Sequence, residues 1–171
     1  LLRVLSLCLC VVTMPASAHE FWISPEQYQI AEGAQLTAHL RVGEGFEGGS
    51  YSYIPARFVR FEAGPVAKLT PVAARVGDRP ALAMPVEGDG LWLVVHETTD
   101  SFLTYREAQK FTDFVEMHDL GEIEAAHAAR GLPDTGFRES YRRHAKAPVA
   151  AGDGAGPDPR LGLTVETGPA P

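Results

Sequence analysis

Alternation of polar and apolar residues dominates the first half of the chain. The segment Gln35–Val42 alternates strictly, which predicts a strand with one buried and one wet face, and His39 lies on the wet face. Leu91–Val95 is apolar at every position and predicts a central strand, with His96 at its end. Shorter strands are predicted over residues 56–61, 73–76 and 81–85.

The period of the pattern changes near residue 103. Thr104 and Glu107 have the spacing of a capping box, and Phe111, Phe114 and Val115 follow at helical intervals. The sequence therefore predicts a helix that Thr104 caps. Further helices are predicted over residues 119–130 and 136–146, and a last strand over residues 161–166.

The first eighteen residues have the organisation of a cleaved export signal. Arg3 is their only charge, an apolar run follows from Val4 to Val12, and Ala16-Ser17-Ala18 has the small-residue form of a cleavage site. The apolar run is too short to span a membrane, which takes about 20 residues. We expect cleavage after Ala18, a periplasmic location, and a mature chain that begins with His19.

Charge and residue composition argue against several classes of function. The 171 residues carry a net charge of −7, and loss of Arg3 would make the mature chain more acidic, so nucleic acid is an unfavourable partner. Cys8 and Cys10 would leave with the signal, which excludes disulfides and thiolate metal sites from the mature chain. No serine lies in a nucleophile-elbow context, and hydrolysis has no positive support.

A glycine-rich segment, Gly43-Glu44-Gly45-Phe46-Glu47-Gly48, matches the G-x-G-x-x-G pattern after a predicted strand. Nucleotide binding requires a helix to begin there, and loop or strand residues follow instead. Two carboxylates would also repel phosphate. The segment is interpreted as a turn that binds no nucleotide, with Glu44 or Glu47 facing a bound cation as the alternative.

Export would give His19 a special chemistry. A terminal histidine offers its α-amine and its Nδ1 to one metal ion, and these groups lose their protons near about pH 8 and about pH 6.5. Nitrogen donors suit nickel, cobalt, copper and zinc. His19 is the predicted anchor of a metal site. The secondary candidate ligands are Glu20, His39, Glu44, Glu47 and His96.

Several motifs occur in the order typical of one family. They are AHEFWISP, LRVGEGFEG, LTYREAQKFTDFVE, HAARGLPDTGFRESYRRHAKA, and VAAGDGAG followed by LGLTVE. The chain resembles, from His19 to Glu166, an exported family of unknown function described as a periplasmic component of nickel or cobalt ABC-type transport systems. The match of His19 to the mature N-terminal histidine of that family is part of the resemblance.

The resemblance implies a mainly β fold, an immunoglobulin-like β-sandwich with about three inserted helices (α+β overall). It also implies an accessory protein that is not an enzyme, binds a divalent transition metal and delivers it to membrane transporter components. The expected layout is a signal peptide (1–18), a sandwich domain (19–167) with the helical insertion at about 104–147, and a mobile tail (168–171), the family's second small β-domain being absent.

Two other functions fit parts of the sequence. A copper-binding protein or copper monooxygenase would also use a processed N-terminal histidine, although the absence of cysteine disulfides argues against the enzyme. A carbohydrate-binding or structural sandwich would use Trp22, Trp92 and the tyrosines, although the apolar neighbours of both tryptophans favour core packing.

Overall fold

The computed structural model describes residues 20–153, which form a mainly β structure with two α-helices. The predicted signal peptide, His19, the last predicted strand and the tail lie outside the described residues. The strands are β1 (Glu20–Pro25), β2 (Gln29–Ile30), β3 (Gln35–Glu44), β4 (Glu47–Tyr51), β5 (Phe58–Pro65), β6 (Thr70–Pro71), β7 (Leu82–Pro85), β8 (Gly90–Thr98), β9 (Ser101–Thr104), β10 (Arg138–Tyr141) and β11 (His144–Ala151). The helices are α1 (Ala108–Met117) and α2 (Ile123–Ala129), and Pro55–Arg57 forms a short 3-10 helix.

Two sheets contain most of the strands. In the four-stranded sheet, β1 pairs with one edge of β3, while β7 and β4 share the other edge in succession. The five-stranded sheet has the order β2-β11-β8-β5-β6, and only the β2–β11 pair is parallel. β1 also packs against β11, so the two sheets meet along these strands.

One apolar core lies between the sheets. Its members alternate along most strands, as period-2 patterning requires. The apolar run Leu91–Val95 within β8 is buried at every position after Leu91. They include Ile23 of β1, Leu36 of β3, Phe61 of β5, Trp92 of β8 and Val149 of β11. The prediction that Trp92 packs in the core is confirmed, whereas the half-buried Trp22 packs edge-on against Phe46.

A second cluster lies in the segment from β9 to β10, which we call the insertion (residues 101–141). The β9–β10 ladder, Ser101 with Tyr141 through Thr104 with Arg138, opens and closes this segment. Inside it, Tyr105 stacks on Phe137, with ring centroids 5.1 Å apart, and meets Phe111 at 5.2 Å. The Tyr105 hydroxyl donates a hydrogen bond of 2.7 Å to Glu139. Burial, together with this bond and the charge of Glu139, raises the pKa of Tyr105.

The predicted third helix is wrong. Residues 138–141 form β10 and residues 144–151 form β11, which pairs with β8 along its whole length. The spacing of Phe137, Tyr141 and Ala145 suits a helix. However, Ala147, Val149 and Ala151 alternate into the core, so pairing with β8 and burial outweigh the local helical pattern.

Three smaller expectations also change. Thr104 belongs to β9, and the residue that caps α1 is Glu107, which makes no side-chain capping hydrogen bond. Residues 73–76 form no strand, and the strand predicted over residues 56–61 begins only at Phe58. Within the described residues, neither helix is long and apolar enough to cross a membrane.

Candidate functional site

The glycine-rich segment is a tight hairpin turn between β3 and β4. Gly45 and Phe46 both have positive φ values, 56° and 63°, the signature of a type I′ turn. Gly43 and Gly48 face each other across the ladder, and a Cβ on Gly43 would overlap the Glu47 carbonyl. The interpretation as a turn is therefore confirmed, and the absence of nucleotide binding stays a prediction.

Three of the predicted metal ligands lie at this hairpin end of the sheet. Glu44 pairs directly with Glu47, and Glu20 pairs with Gly43 one position before them. The Glu20 carboxylate accepts a hydrogen bond of 3.4 Å from the Phe46 amide at the turn. Strand alternation puts Glu44 and Glu47 on the face that includes Val42, and Glu20 on the opposite face.

His39 lies elsewhere on the sheet. It is five residues before Glu44 along β3, roughly 17 Å at the usual rise per residue. Its Nδ1 lies 3.0 Å from the Ser50 hydroxyl and its Nε2 lies 3.4 Å from a Glu26 carboxylate oxygen. The structure therefore does not bring His39 to the carboxylates at the hairpin end.

His96 is enclosed by aromatic rings. It is 3% exposed, and its ring centroid lies 5.0 to 5.3 Å from those of Phe21, Phe58 and Phe61. Its Nδ1 has no hydrogen-bond partner among the described residues. Removal from water penalises the charged ring and lowers the pKa of His96 to about 4, so the imidazole is neutral near pH 7.

His96 also lines a cavity of about 370 Å³ at one end of the space between the sheets. Phe21 and Phe58 provide apolar lining, and Thr98 and Thr99 provide hydroxyl groups. Arg57 and Arg143 line the same cavity. This volume lies within the range of small-molecule sites, about 300–1,000 Å³.

The cavity carries a surplus of positive charge. Among the described residues that line it, Asp100 is the one acidic residue, and it is paired with Arg142. Arg142 also contacts Glu97 at 3.2 Å. These two carboxylates raise the pKa of Arg142. Within residues 20–153, no carboxylate pairs with the guanidinium of Arg57 or Arg143.

Sequence reasoning found the acidic hairpin end and missed the cavity. Arg57 and Arg143 are 86 positions apart in the chain, and no local motif links them. The one sequence signal is the Arg142-Arg143 doublet beside a strand, which alone predicts no partner.

In the part of the chain from Glu20 to Asp153, no three His, Asp or Glu side chains are grouped so that they could hold a metal ion.

Comparison with other proteins gives a family and no individual relative. No curated protein and no solved structure matches the chain. One family model covers residues 16–170, nearly the whole chain, including the hairpin end, the cavity residues and the insertion. The chain therefore belongs to the family described as domain of unknown function DUF4198.

Proposed function

We propose that the chain is a periplasmic accessory protein that binds a divalent transition metal, nickel or cobalt, and delivers it to a membrane transporter. The proposed anchor is His19, freed by export, which supplies an amine and an imidazole nitrogen. Glu44 and Glu47 are the proposed carboxylate ligands, and Glu20, at the same end of the sheet but on its opposite face, is a further candidate. We also infer that the two sheets form an immunoglobulin-like sandwich, and that the protein acts on the metal by capture and release without catalysis.

The observation that carries this proposal is the Glu44–Glu47 pair at the hairpin end. Like charges directly opposite each other on adjacent strands repel, and a bound cation would relieve that repulsion. Residue 19 directly precedes Glu20 in the chain. Glu20 pairs with Gly43, the neighbour of Glu44, so the histidine donors are covalently tied to the acidic end of the sheet.

The described histidines are weaker candidates for the same ion. Both ring nitrogens of His39 have polar neighbours, and His96 is buried among phenylalanines. The proposed site therefore uses two nitrogens of His19 and one or two carboxylates. Such a site leaves coordination positions open, which suits a protein that must release its metal.

The start of the exported chain is tested first. Mass spectrometry of periplasmic protein purified without chelators should return His19 as the first residue, together with the bound metal. Any other first residue would remove the terminal chelate from the proposal.

Titration calorimetry with nickel, cobalt, copper and zinc then tests the ligands. An added alanine before His19 blocks the amine, His19→Ala removes the imidazole, and the double variant Glu44→Gln/Glu47→Gln removes both charges. Each should weaken nickel binding at least about tenfold, about 1.4 kcal/mol. Affinity should also fall from about pH 8 to about pH 5, because protons compete for the amine and the imidazole.

Glu32→Gln is the matched control, because Glu32 is exposed and lies outside the hairpin end. It should bind like the native chain. Native affinity in the alanine-extended chain would show that His19 is not the anchor. Tight copper binding together with reductant-dependent oxygen consumption would instead favour the copper monooxygenase alternative.

A further inference from the structure

The cavity between the sheets has a second set of binding groups that the metal proposal does not use. Arg57 and Arg143 are fixed at its rim through their main chains. The Thr99 amide donates a hydrogen bond of 3.1 Å to the Arg57 carbonyl. The Arg143 amide donates to the Thr98 hydroxyl at 2.9 Å, and the Thr98 amide donates back to the Arg143 carbonyl at 3.0 Å.

These bonds position the two arginines on opposite sides of one strand end. Thr98 ends β8, which lies between β5 and β11 in the sheet. Arg57 precedes β5 and Arg143 precedes β11, so their backbones are two strand spacings apart, roughly 10 Å. Two guanidinium groups on long side chains can converge on one anion across that distance.

The side-chain environment leaves both guanidinium groups available to a ligand. The Arg143 guanidinium carbon lies 5.0 Å from the centre of the Tyr141 ring, a contact that orients the group without neutralising it. Arg57 is exposed and has no acidic partner within the described residues. A positive cavity is notable in a chain of net charge −7, because the surface as a whole repels anions.

The other lining residues indicate which groups a ligand would carry besides an anionic one. Phe21 and Phe58 present apolar rings, and the buried His96 beside them has a polar atom that the described residues leave unpaired. Thr98 and Thr99 add hydroxyl donors near the arginines.

We propose that this cavity binds a small organic carboxylate. Arg57 and Arg143 hold its carboxyl group through charge-assisted hydrogen bonds, and Phe21 and Phe58 pack against its apolar body. The volume of about 370 Å³ suits a body the size of one aromatic ring with short substituents. The site goes beyond the metal proposal and stands without it, since none of its lining residues lies at the hairpin turn.

Benzoate, titrated into the metal-free mature chain, tests the proposal. Amide signals of Thr98 and Thr99 in a nitrogen–proton correlation spectrum should shift, which locates the site. Benzamide has the same shape without the charge, and acetate has the charge without the ring. Both should bind at least about tenfold more weakly than benzoate, a difference of about 1.4 kcal/mol.

Arg57→Gln and Arg143→Gln should each weaken benzoate at least about tenfold, with the amide spectrum confirming that each variant is folded. Arg57 is exposed, so its variant decides the outcome even if Arg143→Gln does not fold. The matched control is Arg75→Gln, because Arg75 is exposed and does not line the cavity. The proposal would be overturned if benzoate shifted neither amide up to about 10 mM, if benzamide bound as tightly as benzoate, or if Arg57→Gln bound benzoate as tightly as the native chain. Because the metal is absent, each result is independent of the nickel measurements.

Discussion

Burial makes the protonated form of His96 unfavourable in the folded chain, so acid should destabilise the fold. Its pKa is about 4 in the folded chain and about 6.5 when the chain is unfolded. Between about pH 6.5 and about pH 4, His96 is therefore protonated in the unfolded chain and neutral in the folded chain. The stability contribution of the neutral ring is complete above that pH and is lost as the pH falls to about 4.

Replacement of His96 by Phe should flatten the acid limb of the stability curve. A difference of about 2.5 pKa units corresponds to about 3 kcal/mol, lost by the native chain between about pH 6.5 and about pH 4. Urea unfolding at several pH values would measure it. His118→Phe, at an exposed position after α1, is the control and should keep the native slope. An unchanged slope in His96→Phe would show that His96 is protonated as readily in the folded chain as in the unfolded chain.

Two glycines of one hairpin should respond oppositely to the same substitution. Gly43→Ala should lower the free energy of unfolding by about 1–3 kcal/mol, because its Cβ would overlap the main chain of Glu47 and Gly48. At Gly49, which pairs with Val42 in the same ladder, a Cβ would meet nothing within 4 Å. Gly49→Ala should therefore be neutral or slightly stabilising. Thermal melts of both variants decide the matter, and equal losses would contradict the close approach at Gly43.

At the scale of elements, α1 lacks the cap that its sequence suggests. Glu107 has an extended backbone, with φ −128° and ψ 125°, suitable for a capping residue, yet its side chain pairs with Lys110 at 3.0 Å. That exposed ion pair contributes little. The shorter side chain of Asp reaches the free amides of the first turn and keeps the negative charge at the helix start.

Glu107→Asp should accordingly raise the free energy of unfolding by about 0.5–1 kcal/mol. Thr104→Ala serves as the comparison. Thr104 is exposed in β9 and caps nothing, so its loss should change stability by less than about 0.5 kcal/mol. Chemical denaturation of both variants gives the values. A larger loss for Thr104→Ala than for any change at Glu107 would restore the original assignment of the cap.

The local sequence pattern predicts an element correctly where the periodicity of its own residues is the one that the fold uses. β3 and β8 follow from alternation and from an apolar run, and the turn at Gly45 follows from its glycines. The segment over residues 136–146 has helical spacing but forms β10 and the first residues of β11, because pairing with β9 and β8 outweighs the local pattern. The cavity was missed for a related reason: only long-range pairing brings Arg57 and Arg143 to the same strand end.

At the scale of the whole molecule, the two clusters of buried residues are separable. The members of the main core come from residues 23–94 and 147–151, and the described insertion contributes none. The insertion instead packs Tyr105, Phe111 and Phe137 on one another, with Val115 of α1 buried nearby. Its stability should therefore depend mainly on its own contacts.

Replacement of residues 102–140 by Asn-Gly should leave the two main sheets and the core between them folded. Ser101 and Tyr141 pair directly, and a two-residue Asn-Gly turn closes such a pair. We expect one cooperative thermal transition and a dispersed amide spectrum. Val149→Asp is the contrasting variant and should unfold the chain, because Val149 is 1% exposed in the main core. A shortened chain without a cooperative transition would show that the insertion completes the fold.

The β9–β10 ladder has an evolutionary consequence. A segment that leaves and re-enters the framework at one pair of neighbouring residues can lengthen, shorten or change its surface without moving the strands that hold the hairpin end and the cavity. Substitutions in the insertion should then have little effect on the hairpin end and the cavity. The surface of the insertion can therefore diversify while the geometry of the two main sheets stays constant.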